Sequence, residues 1–213
     1  MKMKSFFSII LTVLLVGSFQ LSAKGNDIVE DKIDENGVRI IETKMESLYN
    51  ADKLSFGNKL SYFCLRAEVK SDTTNIYLVL LLNEGSFEGD KNRSIVMKDG
   101  HTLSMDKGRK LLLKQKNGIV ELENSVQINA DDCVCIEYGK SIFADNIWVI
   151  KPQYVLSQET IQMFLSEDVK KLRIETNTNY LDRNSVRFKK NFTDLYNALT
   201  ERIAKPASIY DGF

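Results

Sequence analysis

Apolar positions in this chain follow two different periods, and the change falls near residue 150. Between 38 and 150, short apolar runs alternate with turn residues. The run 38–43 comes first. In 61–69, Phe63, Leu65, Ala67 and Val69 share one face at a spacing of two, which is the pattern of a half-buried strand. Residues 76–82 are apolar throughout and rich in branched side chains, which predicts a strand covered on both faces and central in its sheet. Two hairpins are predicted next. Lys98-Asp99-Gly100 lies between 93–97 and 102–105, and Lys116-Asn117-Gly118 lies between 111–114 and 119–122. Asp-Gly and Asn-Gly supply the positive φ that tight hairpin turns require. Strands at 133–138 and 142–150 complete the series, the second carrying Trp148, the chain's only tryptophan.

Beyond Pro152 the period lengthens. Tyr154 and Val155 read as a strand leading into a helix capped by Ser157, with Leu156 and Ile161 at the staple positions on either side of the cap. Ile161, Phe164 and Leu165 give the stripe of a short amphipathic helix. In 169–175, Leu172 and Ile174 alternate inward against Lys171, Arg173 and Glu175. A longer helix is expected from Asn184 or Ser185 to about Ala204, because Phe188, Phe192, Leu195, Tyr196, Leu199 and Ile203 repeat at helical spacing and Pro206 follows. The expected fold class is α+β: a mainly antiparallel β-sandwich or bent sheet, followed by a strand-helix-strand unit and a C-terminal amphipathic helix. No linker rich in Pro, Gly or Ser divides it, so residues 37–213 are expected to form one domain, with a strand-rich body over 37–150 and an α/β closing segment over 151–213.

The first residues read as a secretory signal rather than as part of that domain. Lys2 and Lys4 are followed by an apolar stretch over 6–16, and small residues follow at 18–23. The stretch is shorter than the roughly 20 residues a spanning helix needs, so no integral membrane span is expected in the mature chain. Cleavage is expected after Ala23, with Ser22 as the neighbouring site, and 24–36 reads as a charged flexible leader. No cysteine near the junction could carry a lipid. The expected location is exported, periplasmic or extracellular.

Cleavage would remove two lysines and no acids, leaving 27 basic against 29 acidic residues and a net charge of −2. The basic clusters at Lys170-Lys171-Arg173 and at Arg187, Lys189 and Lys190 are interrupted by apolar neighbours, so no nucleic-acid partner is expected. Cys64, Cys133 and Cys135 are the only cysteines. A disulfide from Cys64 to Cys133 or Cys135 is one reading, and three buried apolar thiols in adjacent strands is the other. With His101 the only histidine, neither a zinc site nor any other cofactor is expected.

Catalytic candidates are sparse. Ser104-Met105-Asp106-Lys107 has the spacing of a Ser-x-x-Lys nucleophile, but it falls at a predicted hairpin, where strand geometry separates the two side chains. His101 has no orienting carboxylate or nucleophile elbow beside it. Carboxylates at Asp131-Asp132, Glu84 with Glu88, and Asp145 fall in predicted loops, and two that converged could hydrolyse a glycosidic bond. The loop from Asn129 to Asp132 lacks the glycine and spacing of an EF-hand.

The signal, the Lys-Asp-Gly and Asn-Gly hairpins, Tyr154-Val155-Leu156-Ser157 leading into a helix, and Val169-Lys170-Lys171-Leu172-Arg173-Ile174 together resemble small uncharacterised secreted proteins of Bacteroidetes-type bacteria. That resemblance implies export and assigns no activity to any residue. The expectation is a non-catalytic binding or envelope-assembly module taking a protein or glycan ligand. The alternative is a carboxylate-dependent hydrolase acting on glycans.

Overall fold

The computed structural model describes residues 27–48, 61–83, 104–138, 145–177, 180–183 and 188–207. The fold is α+β, with two antiparallel sheets and two α-helices among the described residues. In the larger sheet, β1 (Ile28–Ile33), β2 (Arg39–Thr43), β4 (Ser61–Lys70), β5 (Thr73–Asn83), β9 (Asp145–Ile150) and β8 (Val134–Tyr138) lie side by side in that order. The short β3 (Glu46–Ser47) continues β2 along β4, and β10 (Gln153–Leu156) continues β9 along β5. The smaller sheet runs β12 (Tyr180–Arg183), β11 (Lys171–Glu175), β6 (Lys110–Lys114), β7 (Ile119–Glu123).

β5 is central, as its unbroken apolar run predicts, with Leu78 to Leu82 all at most 1 % exposed. β4 departs from the half-buried expectation: Phe63, Leu65 and Ala67 are buried on one face, but Cys64 on the other face is equally inaccessible. Where β2 breaks before β3, the buried Thr43 fills the gap. Its hydroxyl accepts from the Leu65 N–H at 2.9 Å and donates to the Lys44 carbonyl at 3.2 Å. The two sheets meet at Asn124, which bridges to Tyr154 of β10. Asn124 is 1 % exposed. Its amide nitrogen donates to the carbonyls of Asp106 and Val126, and its oxygen accepts from the Gln153 N–H at 3.1 Å, so a buried polar side chain is satisfied on all sides.

Both helices pack as their patterns predict, and the start expected for the second, at Asn184 or Ser185, lies outside the described residues. α1 (Gln158–Ser166) is capped by Ser157, whose hydroxyl accepts from the Thr160 N–H at 3.1 Å. Leu156 and Ile161 are both buried around that cap. α1 connects β10 in one sheet to β11 in the other, so the strand-helix-strand unit spans the two sheets. α2 (Phe188–Ala204) ends just before Pro206 and buries Phe188, Phe192, Leu195 and Leu199. One apolar cluster joins the inner faces of both sheets to both helices. At its centre Phe188 lies 5.1 Å from both Phe63 and Phe164, and Phe164 meets Phe192 edge-on at 5.2 Å.

Three expectations need correction. The segment 24–36, expected as a flexible leader, contains β1 from Ile28 onward, paired antiparallel with β2. It lacks an apolar stripe because its attachment is polar: Val29 and Ile33 are 63 % and 58 % exposed, while Asp31 is nearly buried against two arginines. The hairpin joining β6 to β7 forms where expected, but not through a positive φ at Asn117 or Gly118. Among the described residues positive φ occurs at Gly37, Ser71 and Gly108. The hairpin closes through the Gln115 N–H donating to the Gly118 carbonyl at 2.9 Å, and the Gln115 side chain pins the turn to the end of α1. β3 and β12 are additional strands that the apolar pattern does not signal. The predicted Lys98-Asp99-Gly100 hairpin, positions 142–144 of the predicted strand and the cleavage position at Ala23 lie outside the described residues.

Candidate functional site

The large sheet has an inner face, covered by α2, and an outer face on which the side chains of alternate residues project. Antiparallel register places Glu42, Arg66 and Tyr77 opposite one another across β2, β4 and β5, so the three form one row on the outer face. Cys64 and Val79 pair in a neighbouring row, and Glu68 and Asn75 pair in the row on the other side. Glu68 connects the rows, accepting from Arg66 Nη2 at 2.9 Å and from the Tyr77 hydroxyl at 3.1 Å. Lys151, in the link between β9 and β10, lies 3.9 Å from Glu42. The Arg66 Nε is buried and has no hydrogen-bond partner.

This polar row sits between two different surroundings. On one side lies an apolar patch of Cys64, Val79, Leu81 and Val149, each at most 1 % exposed, with Tyr62 and Tyr77 packed against it. On the other side, Val38, Glu68, Lys70, Thr73 and Asn75 line a depression of about 250 Å³. That is smaller than the roughly 300–1,000 Å³ of pockets that enclose small-molecule ligands. Burial pushes the Cys64 thiol up, and the neighbouring Glu42 carboxylate adds to the shift, so the thiolate that a nucleophilic cysteine needs is disfavoured. Burial, then Glu68, likewise pushes Tyr77 up. The row offers a hidden guanidinium donor, an ammonium and two carboxylates, a set suited to hydrogen bonding.

No protein-family model, curated protein or solved structure matches this chain.

The residues singled out in the sequence are dispersed. Cys64 is a buried free thiol on the outer face, whereas Cys133 packs against the inner cluster. Cys135 lies in β8, three strands from Cys64 along the order β4, β5, β9, β8. Three spacings amount to roughly 14 Å, twice the reach of a disulfide. Neither pairing from Cys64 is formed in the structure, where its thiol is free and buried. Asp131 and Asp132 are exposed, and Asp132 closes its own turn by accepting from the Asn129 N–H at 2.7 Å. The backbone of Asp145 opens β9 opposite Tyr138. Glu84, Glu88 and His101 lie outside the described residues. Ser104 accepts from the Asn177 amide at 3.1 Å while Met105 is buried, and Lys107 sits in an exposed turn, so the tetrad is not on a helix. Among the described residues no three His, Cys, Asp or Glu side chains converge as metal ligands, and no helix is long and apolar enough to cross a membrane. The outer row was not visible in the sequence, since Glu42, Arg66 and Tyr77 come together only through strand register. The alternation Tyr62, Cys64, Arg66, Glu68 along β4 was its one local signal.

Proposed function

We propose that this is an exported, non-catalytic binding or envelope-assembly module that engages a protein or glycan through the outer face of its large sheet. The observation that carries the reading is the state of the acids. Among the described residues, each aspartate whose acidity departs from the ordinary value, Asp31, Asp34, Asp106 and Asp182, is held low by hydrogen bonds, foremost from Arg39, the Val38 N–H, Gln127 and Arg173 respectively. A glycosidase needs the opposite, one carboxyl raised so that it stays protonated as a general acid. Export rests on the charged and apolar pattern of residues 1–23.

The test is incubation of the purified protein with envelope polysaccharides and soluble plant glycans, with measurement of both released reducing ends and retention on immobilised glycan. The expected result is no release above the blank. Release that disappears in Glu68→Gln or Asp132→Asn would establish the hydrolase instead. Export is tested by cell fractionation and by N-terminal sequencing, which should begin at Lys24.

A further inference from the structure

The chain has two Asn-Gly pairs, Asn36-Gly37 and Asn117-Gly118, and the structure holds them differently. A glycine after asparagine has no Cβ to shield its amide nitrogen, which can approach the asparagine side-chain carbonyl. At the first pair that nitrogen is committed. The Gly37 N–H donates to the Asp34 carbonyl at 3.1 Å, and the Asp34 carboxylate accepts from both the Asn36 and Val38 N–H groups. At the second pair, the Gly118 carbonyl closes the hairpin but no hydrogen bond engages the Gly118 N–H, and both residues are exposed.

We propose that Asn117 is a site of spontaneous deamidation, and that its product releases the turn between β6 and β7 from the end of α1. The Gly118 nitrogen attacks the Asn117 side-chain carbonyl carbon and gives up its proton to solvent. The carbon–amide nitrogen bond breaks, ammonia leaves, and water opens the resulting succinimide to aspartate or isoaspartate. No oxidant or reductant enters, and a neutral amide becomes a carboxylate.

The consequence follows from what Asn117 touches. Its amide nitrogen donates to Glu167 Oε1, and the other oxygen of that carboxylate is buried without a partner. Beside it, the buried Gln115 amide donates to the carbonyls of Met163 and Glu167, both at 3.1 Å, at the partially negative end of α1. Conversion replaces a donor with an anion facing Glu167 and that helix end, so attraction turns to like-charge repulsion. Isoaspartate also lengthens the backbone of the four-residue connection between β6 and β7.

Purified protein aged at mildly alkaline pH is followed by peptide mapping, in which each conversion adds about one dalton. Asn117 is expected to convert at least about threefold faster than Asn36. Gly118→Ala tests the chemistry without disturbing the fold, since an added Cβ meets nothing within 4 Å and the backbone there is not left-handed. It should slow conversion at Asn117 several-fold. Asn117→Asp supplies the product directly and should raise amide exchange in the last turn of α1. Equal rates at the two sites, or no slowing in Gly118→Ala, would overturn the site. Unchanged exchange in Asn117→Asp would overturn the release.

Discussion

At its first turns α2 meets the large sheet through rings, Phe188 lying 5.1 Å from Phe63 and Phe192 stacking 5.6 Å from Phe188. At its last turn it meets the sheet through charge. Arg39 of β2 grips Asp31 with two parallel bonds of 2.8 and 2.7 Å, and the same guanidinium donates to the carbonyls of Lys205 and Arg202, the second of which also accepts from the Lys205 N–H at 3.1 Å. Arg202 reaches back to Asp31. The ring contact is non-directional and indifferent to pH. The charged contact joins two side chains and two backbone carbonyls in one place and depends on each of them.

The largest effect should come from the aromatic end. Phe192→Ala removes a fully buried ring from among Phe164, Phe188 and Tyr196, and is expected to cost about 3–5 kcal/mol, read as a fall in the urea midpoint. A cost below about 1 kcal/mol would mean that the cluster does not hold the helix. Next comes Arg39→Ala, which strips partners from Asp31 and from two helix carbonyls and is expected to cost about 2–4 kcal/mol. Amide exchange should distinguish the two variants, the second opening the end of α2 near Arg202 and β1 while leaving the first turns protected.

The same contrast governs what the sequence reveals. α2, α1 and β5 were legible because their apolar positions repeat locally, and packing against a core is what such repeats encode. Ser157 announced its cap for the same reason, since its partner Thr160 is three residues away. β1 was not legible. Its anchor joins Asp31 to Arg202 across 171 residues, and charged residues at a chain end look the same whether solvated or paired. β12 pairs with β11 through four residues with no apolar alternation. The outer row of Glu42, Arg66 and Tyr77 required the register of three strands, which turn geometry sets and composition does not. The half-buried expectation for β4 failed for a related reason: alternation made the face of Cys64 look solvent-exposed, whereas neighbouring strands bring Val79, Leu81 and Val149 around it.

Acid should weaken the charged end selectively. Arg39 holds the Asp31 carboxyl below the ordinary aspartate value of 3.8, against the opposing effect of burial. A depressed folded-state value means that the contribution is fully present above 3.8 and is lost as pH falls through the lower folded value. The wild type should therefore exceed Asp31→Asn in stability at neutral pH, with the gap narrowing below 3.8. Thermal melts of both proteins across that range measure the gap. A gap that stays constant with pH would assign the stability to shape and not to ionisation.

The smallest effect sharpens the comparison most, because it lies on the same turn of α2. Lys205 and Glu201 form an ion pair of 2.7 Å, but their side chains are 57 % and 47 % exposed. The pair has the charges of the Arg39–Asp31 contact without its burial or its two-bond geometry. Water screens the attraction, and two long side chains lose rotamer freedom to make it. Glu201→Gln is accordingly expected to change stability by no more than about 0.5 kcal/mol, and added salt should shrink even that. Urea unfolding at low and high salt measures both. A cost matching that of Arg39→Ala would mean that charge alone holds this end of the helix. A negligible cost would place the anchoring in the buried guanidinium, whose work is to satisfy the carbonyls and carboxylate that folding removes from water.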